Sequence, residues 1–248
     1  DCFIGDCDND GQNELIMSGG GGSRNNPVPE VVILKWNGFR LEKVASYDDP
    51  AHGYAYMACV GDPDGDGENE ISVGITNYGG GGDDYNRQLV LEWNKQTEEF
   101  EETVLYETKG WNQAPFGGWC ADSDGDGIDE IHMGYESPRI SIFDWDGESY
   151  QLLFDKNWSG EGMLIEGMNI GDVDYDGVAE VCAGTDIVHI LQWNGSTYVE
   201  ESVITETHGD LAVLNVGDFD NDGKNEMNVA PVFVNTGEEY ITWIIQHK

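Results

Sequence analysis

The chain has 248 residues, 39% of them hydrophobic, with eight Trp and eleven Tyr. That is enough apolar surface for a sizeable core, and it excludes a disordered acidic tail. Eleven basic residues stand against 49 acidic ones, a formal charge of −38, so repulsion excludes nucleic acid and anionic membrane surfaces as partners.

No stretch approaches the roughly 18 apolar residues that a spanning helix needs, and no membrane insertion is expected. The chain begins with Asp rather than Met, as expected of a processed product or an excerpt of something longer. The five cysteines, Cys2, Cys7, Cys59, Cys120 and Cys182, follow no zinc spacing. Their odd number leaves at least one unpaired within the chain, and it leaves the redox compartment open.

The first element in chain order is an acidic segment, GDCDNDGQNE, which returns as GDPDGDGENE, ADSDGDGIDE, GDVDYDGVAE and GDFDNDGKNE. Counted from the first aspartate, every copy has Asp at positions 1, 3 and 5, Gly at 6 and Glu at 9. The first aspartates, Asp6, Asp62, Asp122, Asp172 and Asp218, lie 56, 60, 50 and 46 residues apart. A near-fixed period of this size marks an array built from one repeated unit. The repeats run approximately over 1–50, 51–108, 109–158, 159–207 and 208–248, and are read as one domain, 1–248.

The second repeat shows the unit. HGYAYMACVGD is a short apolar strand entering the acidic loop, and EISVGI leaves it as an alternating strand. NYGGGGDDYNRQ is a glycine-rich loop, LVLEW a third strand, NKQTEE a turn, and FEETVLYET a final, more polar strand. Four strands joined by hairpins make an antiparallel meander of propeller-blade length. Third strands end in Trp36, Trp93, Trp145 and Trp193, followed by NG, NK, DG and NG. Asn-Gly and Asp-Gly supply the positive φ of a two-residue hairpin, and the tryptophans are expected to fill the layer between blades.

No helical periodicity of useful length appears. Small sheets cannot each bury both faces alone, so radial packing is expected: an all-β, β-propeller fold of four-stranded blades with five repeats visible. The fifth repeat, ending EEYITWIIQHK, has only three strands. It is a short blade, or the protein extends beyond one end, or an open edge here pairs with another chain.

Oxygen ligands at positions 1, 3 and 5, a glycine for the bend and a later carboxylate suit a hard cation that accepts six to eight oxygens, which is calcium rather than magnesium. No His or Cys recurs in the loop, which disfavours zinc and copper. The candidate ligands are Asp6, Asp8, Asp10, Gln12 and Glu14; Asp62, Asp64, Asp66, Glu68 and Glu70; Asp122, Asp124, Asp126, Ile128 and Glu130; Asp172, Asp174, Asp176, Val178 and Glu180; Asp218, Asp220, Asp222, Lys224 and Glu226. The seventh position varies, so Gln12, Glu68, Ile128, Val178 and Lys224 would each offer a main-chain carbonyl. An EF-hand would need Glu at position 12, where Met17, Val73, Met133, Ala183 and Val229 stand, and helical flanks. Up to five Ca2+ ions are expected, which would offset ten of the excess negative charges.

These DxDxDGxxE loops between two short strands, repeated at this period over essentially the whole chain, resemble the FG-GAP/VCBS repeats of integrin α-subunit-like β-propellers. The resemblance implies that each loop joins the first and second strands of a blade and binds one calcium ion. The ligands it carries over are Asp6, Asp8, Asp10 and Glu14 and their equivalents. It also implies an extracellular or cell-surface binding and adhesion module. The commonest ring of that family has seven blades, and its phenylalanyl-glycine and glycyl-alanyl-proline signatures are eroded here.

In such a meander the loops after strands one and three share one edge. The opposite edge carries GGGGSRNNPVPE, NYGGGGDDYNRQ, DDPAHGYAYM, TKGWNQAPFGGW, NWSGEGM and TETHGD. Tyr54, Tyr56, Trp111, Phe116, Trp119 and Trp158 lie there as a candidate ligand face, where aromatic planes and polar edges suit a glycan or a protein; the alternative is that they line a channel or pack between blades. His52 and His208 each precede a Gly, as in turns, and His132 and His189 fall in strand patterns. No nucleophile elbow, HExxH motif or recurrent acid–base pair stands outside the metal loops, and with 49 acids a lone carboxylate pair carries no information. The expected function is therefore binding or adhesion. A surface-layer or filament subunit assembling through the last blade, and a polysaccharide-active enzyme, are the alternatives.

Overall fold

The computed structural model describes residues 1–20, 30–50, 53–77, 85–110, 113–234 and 239–246. Among them every regular element is a strand, and the strands form five antiparallel sheets. β1 (Cys2–Gly5), β2 (Glu14–Ser18), β3 (Val31–Trp36) and β4 (Leu41–Tyr47) make the first sheet. β5 (Tyr54–Gly61), β6 (Glu70–Asn77), β7 (Tyr85–Asn94) and β8 (Glu99–Thr108) make the second. The third has β9 (Pro115–Ala121), β10 (Glu130–Tyr135), β11 (Ser137–Trp145) and β12 (Tyr150–Asn157). The fourth has β13 (Met168–Gly171), β14 (Glu180–Gly184), β15 (Val188–Trp193) and β16 (Tyr198–Ile204). The fifth has three strands, β17 (Asp210–Gly217), β18 (Glu226–Phe233) and β19 (Trp243–Ile245).

Strand order follows chain order in every sheet, so each is a simple meander and the fold class is the all-β, β-propeller one expected from the repeats. The acidic segment joins the first strand to the second in all five sheets.

Two compact units divide the chain, Asp1–Cys120 and Ala121–Lys248. In the first, Ile16, Val31, Ile33, Ile71, Val73, Ile75, Leu89 and Leu91 form one buried cluster with Ala55, Ala58 and Cys7. Their i, i+2 spacing along β3, β6 and β7 places them on one face of each strand, and β2 adds Ile16. β6 is buried on both faces, whereas β8 is mostly exposed. This is why EISVGITN reads as an apolar run and FEETVLYET as a polar one. In the second unit Val173, Cys182, Val188, Ile190, Leu211, Leu214, Met227 and Val229 play the same part. Within each unit a glycine just before the acidic loop permits close packing: a Cβ on Gly5 would lie 2.8 Å from Val60, and one on Gly171 would lie 2.7 Å from Val216.

Two details depart from the sequence reading. The turns after the tryptophans are four-residue loops, as the pairs Trp36↔Leu41, Trp145↔Tyr150 and Trp193↔Tyr198 fix. The reason is the Asx side chain, which takes over amides that a two-residue turn would leave to the ladder. Asn37 Oδ1 accepts the Phe39 and Arg40 amides, Asp146 Oδ1 those of Glu148 and Ser149, and Asn194 Oδ1 those of Ser196 and Thr197. The tryptophans, in turn, pair across their own hairpins rather than filling a buried layer. Trp93 meets Phe100, Trp145 meets Tyr150 and Trp193 meets Tyr198 edge-on or tilted, with centroids 4.9, 4.8 and 5.1 Å apart, and Trp36 is exposed.

Cys59 on β5 and Cys120 on β9 form a disulfide with Cα atoms 5.9 Å apart. Cys2 is a free thiol at the surface, and Cys7 and Cys182 are free and buried.

Candidate metal centres

Each acidic loop is shaped by its own aspartates. The glycine at position 6 adopts positive φ in every copy, from 88° at Gly11 to 98° at Gly127, and its amide donates to Oδ2 of the first aspartate. The amide of position 7 donates to Oδ1 of the third aspartate, at 2.8–3.0 Å in all five copies. The side chains of Glu68 and Lys224 turn elsewhere, Glu68 to the Lys95 ammonium and Lys224 over the Tyr175 ring, as befits positions whose side chains are not ligands. Position 4 is also left-handed, at Asn9, Gly65, Gly125, Tyr175 and Asn221. Gly and Asn at four of the five were the available signal for it, and Tyr175 obscures the pattern.

The folded loops gather carboxylates. Asp122, Asp124, Asp126 and Glu130 bring ligand oxygens within 4.8 Å of one another. So do Asp6, Asp8 and Asp10; Asp62, Asp64 and Asp66; Asp172, Asp174 and Glu180; and Asp218, Asp220 and Glu226. The glutamate that opens each second strand is buried in every copy. Its Oε2 is anchored by the amide of position 2: Cys7 to Glu14, Ser123 to Glu130, Val173 to Glu180 and Phe219 to Glu226. Pro63 has no N–H to give, and Glu70 Oε2 lies buried without a hydrogen bond. Oε1 is therefore the oxygen left for an ion, and in Glu130 it is buried with no partner. A buried carboxylate oxygen stranded beside three aspartates is the donor set a hard divalent cation satisfies.

Without a cation, burial pushes Glu70 up to about 9, and Glu130 and Glu180 up to about 7, with the loop aspartates adding repulsion. The same cause raises Asp64 and Asp124. Folded-state pKa values above the ordinary 4.5 favour the protonated native state, so their stabilisation is full below pH ~4.5 and is lost as pH rises through 7 and then 9. In chelator, the urea midpoint is expected to fall steadily from pH 5 to pH 9, and saturating calcium is expected to flatten that slope. A midpoint in chelator that rises over this range would contradict the assignment.

Three features around the loops were missed in the sequence. Asn69 and Asn225, at position 8, stitch neighbouring loops within each unit: Asn69 Nδ2 donates to the Asp6 carbonyl and Asn225 Nδ2 to that of Asp172. Asn9 and Tyr175 return the contact, Asn9 through the Asn69 amide and carbonyl and Tyr175 through the Asn225 carbonyl. Ser123 Oγ meets His132 Nε2 at 2.8 Å and Glu130 Oε2 at 2.8 Å, but Ser123 and His132 are both buried, so the pair braces Glu130.

The candidate ligand face is divided. Tyr56 and Phe116 come together with ring centroids 4.5 Å apart. Tyr54 is exposed, Trp119 is half-buried, and Trp111 and His52 lie outside the described residues. Trp158 presents no open face. It is 6% exposed, stacks on His189 at 4.2 Å and donates its indole N–H to Glu200. His189 lies between Glu161 and Glu200, 3.0 Å from each, and is buried as its strand position implied.

A cavity of about 530 Å³ lies in the second unit, lined by Met163, Asp186, Thr207, His208, Asp210 and Val234. Its lining residues follow β12, β14, β16 and β18, at the sheet ends away from the acidic loops. His208, in the connection between β16 and β17 just before the positive-φ Gly209, borders this cavity and meets Trp243 edge-on. A scan against protein-family models and a search of curated proteins both return no significant match.

Proposed function

We propose that the chain is a calcium-dependent binding and adhesion module of the cell surface or extracellular medium, with a carbohydrate as its ligand class. The observation that carries the calcium part is the partnerless, buried Oε1 of Glu130 beside Asp122, Asp124 and Asp126. The ions serve folding: each neutralises a loop that would otherwise repel itself, so binding energy becomes folding energy. The resemblance of the loops to FG-GAP/VCBS repeats supports the same reading. A disulfide between Cys59 and Cys120 supports an oxidising compartment. Two separate features support a hydroxyl-rich ligand: the aromatic Tyr56–Phe116 pair in the first unit, and in the second the cavity where Met163 and Val234 lie with the carboxylates of Asp186 and Asp210.

A glycan array probed in calcium and again in chelator tests this. Binding to a defined sugar set that disappears in chelator is expected, and no binding in calcium would sink the carbohydrate assignment. A second reading, self-assembly into a filament or surface layer, is favoured by β19, the outer strand of a three-stranded sheet with Ile244 exposed. Light scattering that shows a monomer at all concentrations would oppose it.

A further inference from the structure

The five cages differ in one residue that lies outside the loop. The position facing the loop glutamate from the third strand is Lys35, Glu92, Asp144, Gln192 and Gln246 in the five sheets, as the registers Leu15↔Leu34, Ile71↔Leu91, Ile131↔Phe143, Val181↔Leu191 and Met227↔Ile245 set it. In the fourth and fifth sheets a neutral amide approaches the glutamate: Gln192 Nε2 and Gln246 Nε2 are each 3.4 Å from Oε1. In the second and third sheets the facing residue adds another carboxylate, and Asp144 Oδ1 is buried without a hydrogen bond. In the first sheet it is a cation. Lys35 Nζ is 3.0 Å from Asp8 Oδ2, 2.6 Å from Asp10 Oδ2 and 2.8 Å from Glu14 Oε1.

We propose that Lys35 is a built-in cation that fills the first cage, so that divalent ions bind at the other four loops and not at this one. The ammonium touches the oxygens a metal would need, Glu14 Oε1 among them; neither that oxygen nor Glu130 Oε1 has a well-directed hydrogen bond, but Glu14 Oε1 has a cation at ion-pair distance. Its side chain is only 18% exposed and Glu14 is fully buried, so it is enclosed rather than swinging in solvent. An incoming ion would have to break three ion pairs and expel a tethered charge whose effective concentration at the cage is high. Its positive charge would also meet that ammonium at contact distance, whereas at the second and third cages it would meet an additional carboxylate. Those two cages are therefore expected to bind most tightly, and the Gln-faced cages less so.

This proposal rests on the calcium reading of the other loops, and ion counting separates the two. Calcium is titrated into the full chain by calorimetry, and bound metal is counted by elemental analysis after equilibrium dialysis. The proteins compared are wild type, Lys35→Gln and Gln192→Lys. The expected numbers of ions are four, five and three. Five ions in the wild type, or a Lys35→Gln protein that gains none, would overturn the role given to Lys35. Should Lys35→Gln fail to fold, Gln192→Lys decides alone: a loss of one ion upholds the lysine rule, and an unchanged number overturns it. Zero ions in all three proteins would instead overturn the calcium reading itself.

Discussion

Saturating chelator is expected to lower the melting temperature by tens of degrees. Each loop gathers three or four carboxylates around one point, and a ligand present at 100 times its Kd stabilises the folded state by about 2.7 kcal/mol per site. Four independent sites would sum to about 11 kcal/mol, as large as the whole stability of an ordinary domain, about 5–15 kcal/mol. At this length each kcal/mol corresponds to about 2–4 °C. The calcium-free chain should therefore keep only a small part of the stability of the calcium-loaded one. The buried position of the loop glutamates is what makes the effect large, because solvent cannot screen them as it screens exposed pairs. Differential scanning calorimetry in calcium and in excess chelator measures it, and superimposable traces would refute a structural role for the ions.

The second large effect belongs to the disulfide. Cys59 and Cys120 are 61 residues apart, and closing a loop of that size removes enough chain entropy from the unfolded state to contribute about 4 kcal/mol. Replacing both cysteines by alanine is expected to lower the melting temperature in calcium by roughly 8–16 °C. The other three cysteines remain as they are in this variant, so no new pairing is forced. A melting temperature within about 2 °C of wild type would show that the bond adds nothing.

The parts legible in the sequence are those whose chemistry is contiguous. A nine-residue loop with three aspartates, a glycine and a glutamate carries its own geometry, and five copies reveal both the period and the strands on either side. What the sequence concealed depends on residues brought together from a distance. Lys35 reaches a loop 27 residues earlier, and nothing in VVILKW marks that lysine as a cage cation until the β2–β3 register is known. The stitching of Asn69 to Asp6 spans 63 residues. The disulfide pairing could not be chosen among five cysteines. Trp158 looked like a ligand-stacking residue because its neighbours in NWSGEGM are polar, yet its ring lies on His189 from another strand. The tryptophan turns were misread in length because an Asx oxygen capturing two amides leaves no trace in residue spacing.

That the acidic loops are cation cages is tested most directly by anomalous scattering from a crystal of the chain grown in calcium and measured at long wavelength. Peaks are expected inside the Asp62, Asp122, Asp172 and Asp218 loops, each between the aspartates and the buried glutamate, with the Lys35 ammonium alone inside the loop of Asp6. A calcium-saturated crystal without anomalous density in any of the five loops would contradict it.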